Sequence, residues 1–169
     1  DVCSSDLGPH TFEVRAIDAA GNTDSTPASF SWTIDDTPPD APVIDNPANG
    51  AIFSDNVVSV DGSAEPNSTI HVFVNGIEVG TTTTNPGGFW EFVITGLSDG
   101  TFPITATAFD GIGNESVIST PVSITIDTIG PDTFFDLTPS ALSNLNTAEF
   151  QFHSNESPVT FECSINGGR

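Results

Sequence analysis

The sequence predicts an all-β chain of antiparallel β-sandwiches in tandem, one complete and two partial. Short stretches of alternating apolar residues recur along the chain, each bounded by Gly, Pro, Asn or Asp, and no helical periodicity is present. The 169 residues also contain internal repeats. Finally, the apolar positions of the middle segment are numerous enough to form the core of a domain of roughly 90 residues.

The clearest repeat joins two stretches with the same order of landmarks. GPHTFEVRAIDAAGN at 8–22 matches GTFPITATAFDGIGN at 100–114. Asp18 thereby corresponds to Asp110, 92 residues further along the chain. Because no insertion or deletion disturbs this offset, a chance match is an unsatisfactory explanation.

A second match has an offset of 91 residues and joins SAEPNSTIHVFVNG at 63–76 to SNESPVTFECSING at 154–167. The chain therefore holds the end of one repeat, a whole repeat and the beginning of another. The predicted boundaries are 8–37 for the C-terminal half of a first repeat, 38–130 for the complete repeat and 131–169 for the N-terminal half of a third repeat.

Seven short strands are predicted in the complete repeat, which is the number typical of an antiparallel β-sandwich. They are 42–46, 57–63, 69–75, 77–84, 88–95, 101–109 and 118–126. One face of these strands collects the expected core. Its members are Val58, Val60, Ile70, Val72, Val74, Trp90, Phe92, Phe102, Ile104, Ala106, Ala108, Val122, Ile124 and Ile126.

The charge of the chain limits its partners. It has 23 acidic residues and only two basic ones, which gives a net charge of −21 at pH 7. Nucleic acids and anionic membranes are polyanions that bind Lys and Arg, so neither is expected as a partner here. The sequence contains no apolar run of about 18 residues, so membrane insertion is not expected. High acidity, two cysteines and strands rich in Thr, Ser, Asn and Asp favour an extracellular or bacterial cell-surface location.

The motif A-x-D-x-x-G-N, followed by T-I-D and a Pro-Asp linker, resembles the bacterial immunoglobulin-like repeats of large secreted surface adhesins. The matching residues are Ala108, Asp110, Gly113, Asn114, Thr125-Ile126-Asp127, Pro131-Asp132 and, in the G-x-W strand, Gly88-Phe89-Trp90. The outer repeats resemble a sister type through Phe161 to Gly168 and His10 to Asp18. The resemblance implies immunoglobulin-like sandwiches in tandem, with neighbouring repeats of the same chain as partners and cell adhesion as the function.

Residues 1–7, DVCSSDL, do not follow the repeat register. They resemble the translation of a short-read sequencing adapter, and we interpret them as a non-native artefact. The resemblance to the sister type implies a pair of cysteines within one repeat. Cys163 would then have a partner beyond this sequence, and Cys3 would have no native role.

The acidic residues predict calcium at the junctions between repeats. In an immunoglobulin-like sandwich, the linker enters at the end that carries the B–C and F–G loops, and calcium takes six to eight oxygen ligands. The expected ligands are Asp35, Asp36, Asp40, Glu65, Asp110 and Asn114, and at the second junction Asp127, Asp132 and Glu156. The alternative is turn chemistry, in which Asp accepts hydrogen bonds from backbone amides and Gly or Asn adopts positive φ.

No catalytic arrangement stands out, and His10, His71 and His153 are isolated on predicted strands. The sequence therefore predicts a non-enzymatic structural extender, or stalk, of a bacterial adhesin, with junctions stiffened by proline and calcium. Two alternatives stay open: a module that binds glycan or protein directly, and an accessory module of a secreted hydrolase. Direct binding would need exposed aromatics, for which Phe73, Phe89 and Phe109 have the appropriate parity.

Overall fold

The computed structural model describes residues 7–142 and 144–165. The chain forms two compact units, Asp1–Ile126 and Asp127–Arg169. All regular elements of the described residues are strands, and none of these residues forms a helix able to cross a membrane.

The first unit contains a hairpin and a sandwich. Its strands are β1 (Gly8–Val14), β2 (Ala28–Ile34), β3 (Val43–Asn46), β4 (Ala51–Phe53), β5 (Val57–Ser63), β6 (Thr69–Val74), β7 (Ile77–Thr83), β8 (Phe89–Thr95), β9 (Gly100–Phe109) and β10 (Val122–Ile126). Strands β1 and β2 pair with each other. The sandwich has a five-stranded sheet in the order β4-β10-β9-β6-β7 and a three-stranded sheet in the order β3-β5-β8. Only β4 and β10 are parallel neighbours, so the predicted antiparallel all-β fold is confirmed.

The core of this middle sandwich follows the strand alternation. In β6 the residues alternate between partly and fully buried, because successive side chains point to opposite faces of a sheet. Every predicted core residue is either buried or packed against the buried cluster, and Ile94 joins them. The buried hydrophobic cluster of the described residues lies between Val58 and Ile126, so the middle sandwich contains the only extensive core in this part of the chain.

Strands β10 and β4 differ from what the sequence predicted. The strand expected at 118–126 begins only at Val122, because serine hydroxyls replace part of its ladder. The backbone N–H of Ala106 donates to Ser119 Oγ at 2.9 Å, and that of Ala108 donates to Ser116 Oγ at 2.9 Å. The short strand β4 was not predicted, since a run of three residues is too brief to show alternation.

Strand β9 connects the two ends of the middle sandwich. It has ten residues, which corresponds to about 30 Å of extended chain. Its first residue, Gly100, pairs with Ile126, where the chain leaves the sandwich. Its last residue, Phe109, precedes the loop that contacts the linker through which the chain enters. The chain therefore enters and leaves at opposite ends of β9.

The hairpin β1–β2 reproduces the pairing of β9 and β10. Gly8 pairs with Ile34 in the first hairpin, and Gly100 pairs with Ile126 in the second, so both partners shift by 92 residues. Because side chains alternate along a strand, an identical register places corresponding residues on the same face. The hairpin therefore repeats the β9–β10 pair of the five-stranded sheet, and no strands among the described residues cover it.

The second unit contains β11 (Thr133–Leu137) and β12 (Gln151–Ser154), which pair antiparallel. Their ladder has a register shift between Phe135 and Leu137. The pairing of β3 with β5 has a similar shift between Ile44 and Asn46. Strands β11 and β12 therefore resemble the first two paired strands of the middle sandwich.

Gly62 of β5 lies against the carbonyl of Val43 in β3 and the ring of Trp90 in β8, and its replacement by Ala should destabilise the sandwich. A Cβ atom at this position would overlap the carbonyl oxygen of Val43 and lie 3.0 Å from Cζ2 of Trp90. Overpacking of this kind costs about 1–3 kcal/mol of unfolding free energy. Urea unfolding followed by tryptophan fluorescence measures the loss. Gly111→Ala is the control, because no atom lies within 4 Å of its added Cβ. Equal midpoints for the two variants would contradict the prediction.

Candidate functional site at the loop after strand β9

The loop that follows β9 is organised around the carboxylate of Asp110. Its Oδ1 accepts the backbone N–H groups of Ile112 at 3.0 Å, Gly113 at 2.7 Å and Asn114 at 2.9 Å. Its Oδ2 accepts Nδ2 of Asn114 at 2.8 Å. Gly113 has φ of 101°, a conformation that glycine adopts without steric cost. Both carboxylate oxygens are thus engaged by donors of the same loop.

These hydrogen bonds lower the pKa of Asp110 below its ordinary value of 3.8. Desolvation, the largest single influence, acts in the opposite direction and raises the pKa. The backbone and side chain of Asn114, with the amides of Ile112 and Gly113, together outweigh it because they stabilise the ionised carboxylate.

Asn114 links this loop to the incoming chain. Its Nδ2 group donates to the carbonyl oxygen of Asp35 at 3.2 Å and to that of Thr37 at 3.4 Å. The rings of Pro38 and Pro39 restrict φ of the linker at this point, and these two residues carry no backbone N–H donor. Pro39 is buried. The side-chain amide of Asn114, together with the Asp110 carboxylate, therefore forms a polar clasp on the linker.

The same loop recurs 92 residues earlier, around Asp18. Its Oδ1 accepts the N–H groups of Ala20 at 2.9 Å and Asn22 at 2.8 Å, and its Oδ2 accepts Nδ2 of Asn22 at 2.8 Å. The pKa of Asp18 is also lowered, chiefly by the side chain of Asn22. Two loops with little other identity thus adopt one hydrogen-bond pattern, which accounts for the shared A-x-D-x-x-G-N motif.

The structure places the remaining predicted ligands of the first junction as follows. Oδ1 of Asp35 accepts the N–H of Thr37 at 3.0 Å, and Asp36 and Asp40 are exposed. Glu65 is exposed as well, and its backbone carbonyl accepts the hydroxyl groups of Ser68 and Thr84, each at 2.7 Å. The linker and the loop of Asp110 and Asn114 therefore meet, and they do so through amide and carbonyl groups.

At the second junction, the backbone N–H of Asp132 donates to Oδ1 of Asn155 at 2.7 Å. Asp127 is exposed, and the N–H of Glu156 donates to Ser154 Oγ at 3.2 Å. Among residues 7–142 and 144–165, no three His, Cys, Asp or Glu side chains are grouped so that they could hold a metal ion.

The sequence singled out the loop of Asp110 and Asn114 for calcium, which stays a prediction, and it did not indicate that Nδ2 of Asn114 contacts the linker. Asn114 was expected to offer an oxygen to a cation, whereas its Nδ2 donates to Asp35 and Thr37. The sequence did not indicate that the backbone carbonyl of Thr37 accepts a hydrogen bond from Asn114, since no side-chain type identifies a backbone acceptor. The only feature of the sequence that points to this contact is the pair of prolines that follows Thr37.

The histidines and aromatic residues take part in packing across strands. Nδ1 of His71 lies 3.1 Å from Glu78 Oε2, and its ring lies against Phe109 with 4.6 Å between centroids. His10 stacks on Trp32, and His153 on Phe134. Phe73 and Phe109 belong to the five-stranded sheet, whereas Phe89 belongs to the other sheet, so these three phenylalanines do not form one binding surface.

Cys163 is exposed and has no disulfide partner among the described residues. Cys3, with the rest of the non-native stretch inferred from the sequence except Leu7, lies outside the described residues.

Comparison with known proteins defines the class of the middle sandwich. Residues 47–128 match the model of a family described as bacterial Ig-like domain. This part of the chain therefore belongs to the bacterial immunoglobulin-like domains, as the motif around Asp110 indicated.

Among curated proteins, Exoglucanase B from Cellulomonas fimi is 32% identical over 146 residues. The match covers 83% of this chain and 13% of that protein, so this chain spans only a small part of the relative's length. Among solved structures, the fibronectin(III)-like modules of Clostridium thermocellum CbhA are 20% identical with a TM-score of 0.45, over 53% of this chain and 98% of that chain. The BSP domain of a biofilm associated protein is 23% identical with a TM-score of 0.39, over 75% of this chain and 20% of that chain.

The loop should make stability depend on pH through Asp110. A folded-state pKa below 3.8 means that the stabilisation is present above this value and is lost as the pH falls through the folded pKa. Asp110→Asn should therefore lower the melting temperature at pH 7 and reduce the further loss on acidification to pH 2. Thermal unfolding monitored by circular dichroism measures both. Glu115→Gln removes a charge nearby without removing an acceptor of these hydrogen bonds, and it should behave like the unmodified chain. A parallel pH dependence in all three proteins would contradict the assignment.

Proposed function

We propose that the chain is a non-catalytic spacer segment of tandem immunoglobulin-like modules in a bacterial extracellular or cell-surface protein, and that an adhesin stalk is the best-supported setting. The observation that carries this proposal is the placement of the two chain connections of the middle sandwich at opposite ends of β9, about 30 Å apart. Modules connected in this way add length with each repeat, whereas modules connected at one end would fold back.

The polar clasp supports the same function, because a spacer that holds another domain at a fixed distance must restrict bending at its junctions. Asn114 holds two carbonyls of the linker, and Pro38 and Pro39 limit the φ angles that remain. The net charge of −21 further opposes collapse of neighbouring modules onto one another. A stiff connection therefore follows from hydrogen bonds and proline together.

Calcium at this junction is a further part of the proposal. Asp36 and Asp40 are exposed and lie in the same linker as the carbonyls that Asn114 holds. Extracellular calcium modules bind calcium with dissociation constants of about 10⁻⁴ to 10⁻³ M. Asp110 would need to exchange amide donors for the cation. Calcium would therefore act by reorganising the loop and the linker carboxylates.

A second setting is an accessory module of a secreted hydrolase, which the similarity to Exoglucanase B favours. The spacer role is the same in both settings. The two settings differ in the kind of domain to which the modules are joined, a binding domain in an adhesin or a catalytic domain in a hydrolase. The sequence of the gene around this segment would distinguish them.

The junction should be rigid, and its rigidity should depend on Asn114. In a protein with the 92-residue unit 35–126 repeated twice in series, nitroxide labels at the exposed Glu91 position of each unit report the distance between modules by double electron–electron resonance. We expect a narrow distance distribution for the parent protein. Asn114→Ala in the second unit should broaden it, because this residue holds the linker between the units.

Asn114→Ala in the first unit is the matched control, since that copy contacts only the free N-terminal linker. A broad distribution in the parent protein would contradict the spacer proposal. The same distance measurements in chelator and in millimolar calcium test whether calcium binds at the junction and stiffens it. If calcium narrows the distance distribution and Asp110→Ala abolishes this narrowing, the calcium site is supported. If the distributions with and without calcium are identical, hydrogen bonds and proline alone stiffen the junction.

A further inference from the structure

Strand β8 is an edge of the three-stranded sheet, and β5 is its only hydrogen-bonded neighbour among the described residues. The ladder is flanked by a bond from the N–H of Gly96 to the carbonyl of Asn56, and by one from the N–H of Ala64 to the carbonyl of Gly88. Because the backbone groups of successive residues in a strand point to alternate sides, the even-numbered residues of β8 face β5. The odd-numbered residues therefore direct their N–H and C=O groups away from β5.

Three odd-numbered residues, Glu91, Val93 and Thr95, form what we call the open edge of β8. The fourth, Phe89, does not belong to it, because its N–H donates to Oδ1 of Asn85 at 3.1 Å and its carbonyl accepts the N–H of Asn85 at 2.8 Å. In the part of the chain that the structure describes, no further strand pairs with the open edge. A strand edge of this kind accepts an additional strand through its backbone groups.

The side chains of the open edge lie on the outer face of the sheet, where an acidic pair stands at the centre. Glu91 is exposed and lies opposite Asp61 in the ladder. Like charges placed directly opposite each other destabilise a sheet. Oδ1 of Asp61 accepts Nδ2 of Asn46 at 3.0 Å, whereas the carboxylate of Glu91 has no partner within residues 7–142 and 144–165. The charge of Glu91 is therefore uncompensated on this face.

Apolar side chains flank the acidic pair on the same face. Phe89 and Val93 lie two residues to either side of Glu91, and they are 47% and 53% exposed. Val57 of β5 is 48% exposed and lies on the same face, diagonally across from Val93. The exposed side of β8 thus reads apolar, acidic, apolar along the strand.

A groove of about 420 Å³ lies beside the beginning of β8. It is lined by residues 82–85, which are three threonines and an asparagine, and on the other side by Phe89, Trp90 and Glu91. A strand added to β8 would alternate its side chains between the outer face and this side of the sandwich. Hydroxyl and amide groups of the groove suit small polar side chains at the second set of positions.

We propose that the open edge of β8 binds an extended segment of a partner protein as an added antiparallel strand, with a basic residue opposite Glu91 and apolar residues two positions to either side. Backbone hydrogen bonds supply the affinity in this mode of binding, and alternate side chains supply the specificity. Charge complementarity favours a basic segment, because residues 16–168 contain no Lys or Arg that could compensate Glu91. The net charge of −21 also attracts a cationic partner over a distance. The proposal goes beyond the spacer role and does not depend on it.

The first test is an NMR titration of the full chain, labelled with nitrogen-15, with a seven-residue peptide blocked at both ends. The peptide has arginine at its centre, valine two positions to either side and threonine elsewhere. We expect the amide resonances of Glu91 and Val93 to shift and their hydrogen exchange to slow on binding. The amide of Phe92 is the internal control, because it bonds to β5 and should exchange slowly with or without peptide. Unchanged resonances of Glu91 and Val93 at millimolar peptide would overturn the proposal.

The second test exchanges the charges. Glu91→Lys should weaken binding of the arginine peptide about fivefold, because a repulsive cross-strand pair replaces an attractive one. The same substitution relieves the repulsion from Asp61, so the variant should remain folded. A peptide with glutamate at its centre should bind Glu91→Lys and recover most of the affinity.

Glu13→Lys is the matched control for the charge exchange, since it changes the net charge equally at an exposed position of β1. It should leave the affinity for the arginine peptide unchanged. Equal weakening by Glu91→Lys and Glu13→Lys would overturn the proposal, because attraction by net charge alone does not depend on position. A glutamate peptide that fails to bind Glu91→Lys would overturn it as well.

The third test separates strand pairing from contact between side chains. N-methylation of the central arginine of the peptide removes the N–H that would donate to the carbonyl of Glu91, and it should abolish binding. N-methylation of the following threonine is the matched control, because that N–H would point away from β8 and binding should persist. Equal affinities of the two methylated peptides would overturn the added strand.

Discussion

The pairing of β9 with both β6 and β10 is the constraint on which the middle sandwich depends. This strand is central to the five-stranded sheet, and it contributes Ile104, Ala106 and Ala108 to the fully buried core. Its two ends also define where the chain leaves and where the linker is held. One strand thereby determines both the packing of the sandwich and the ends at which the chain enters and leaves it.

The loop after β9 shows how one carboxylate can serve two structural purposes. Asp110 accepts three backbone amides and so closes the turn, and it holds Asn114 in the position from which Nδ2 reaches the linker. The charge is compensated by donors of the loop itself, which explains the lowered pKa. The loop around Asp18 has the same internal bonds, so this turn is a transferable unit of the repeat.

The two outer pairs of strands show the difference between strand pairing and core formation. The hairpin β1–β2 preserves the register of β9–β10, and β11–β12 resembles β3–β5, yet within residues 7–142 and 144–165 neither pair buries a core of its own. Strand pairing is local and needs only two adjacent segments. Burial is not local, because a face of one sheet is covered only by strands from elsewhere.

The sequence by itself determined the fold class, the strands β5 to β9 and nearly the whole core, because alternation has the period of the strand and turn residues mark its ends. It also identified the Asp110 loop through its repeat. Only the tertiary structure decided where β10 begins, since hydroxyls of Ser116 and Ser119 replace ladder acceptors there. It likewise decided that Asn114 binds the carbonyls of Asp35 and Thr37, because contacts between residues 77 to 79 positions apart depend on the packed sheet and leave no local pattern in the chain.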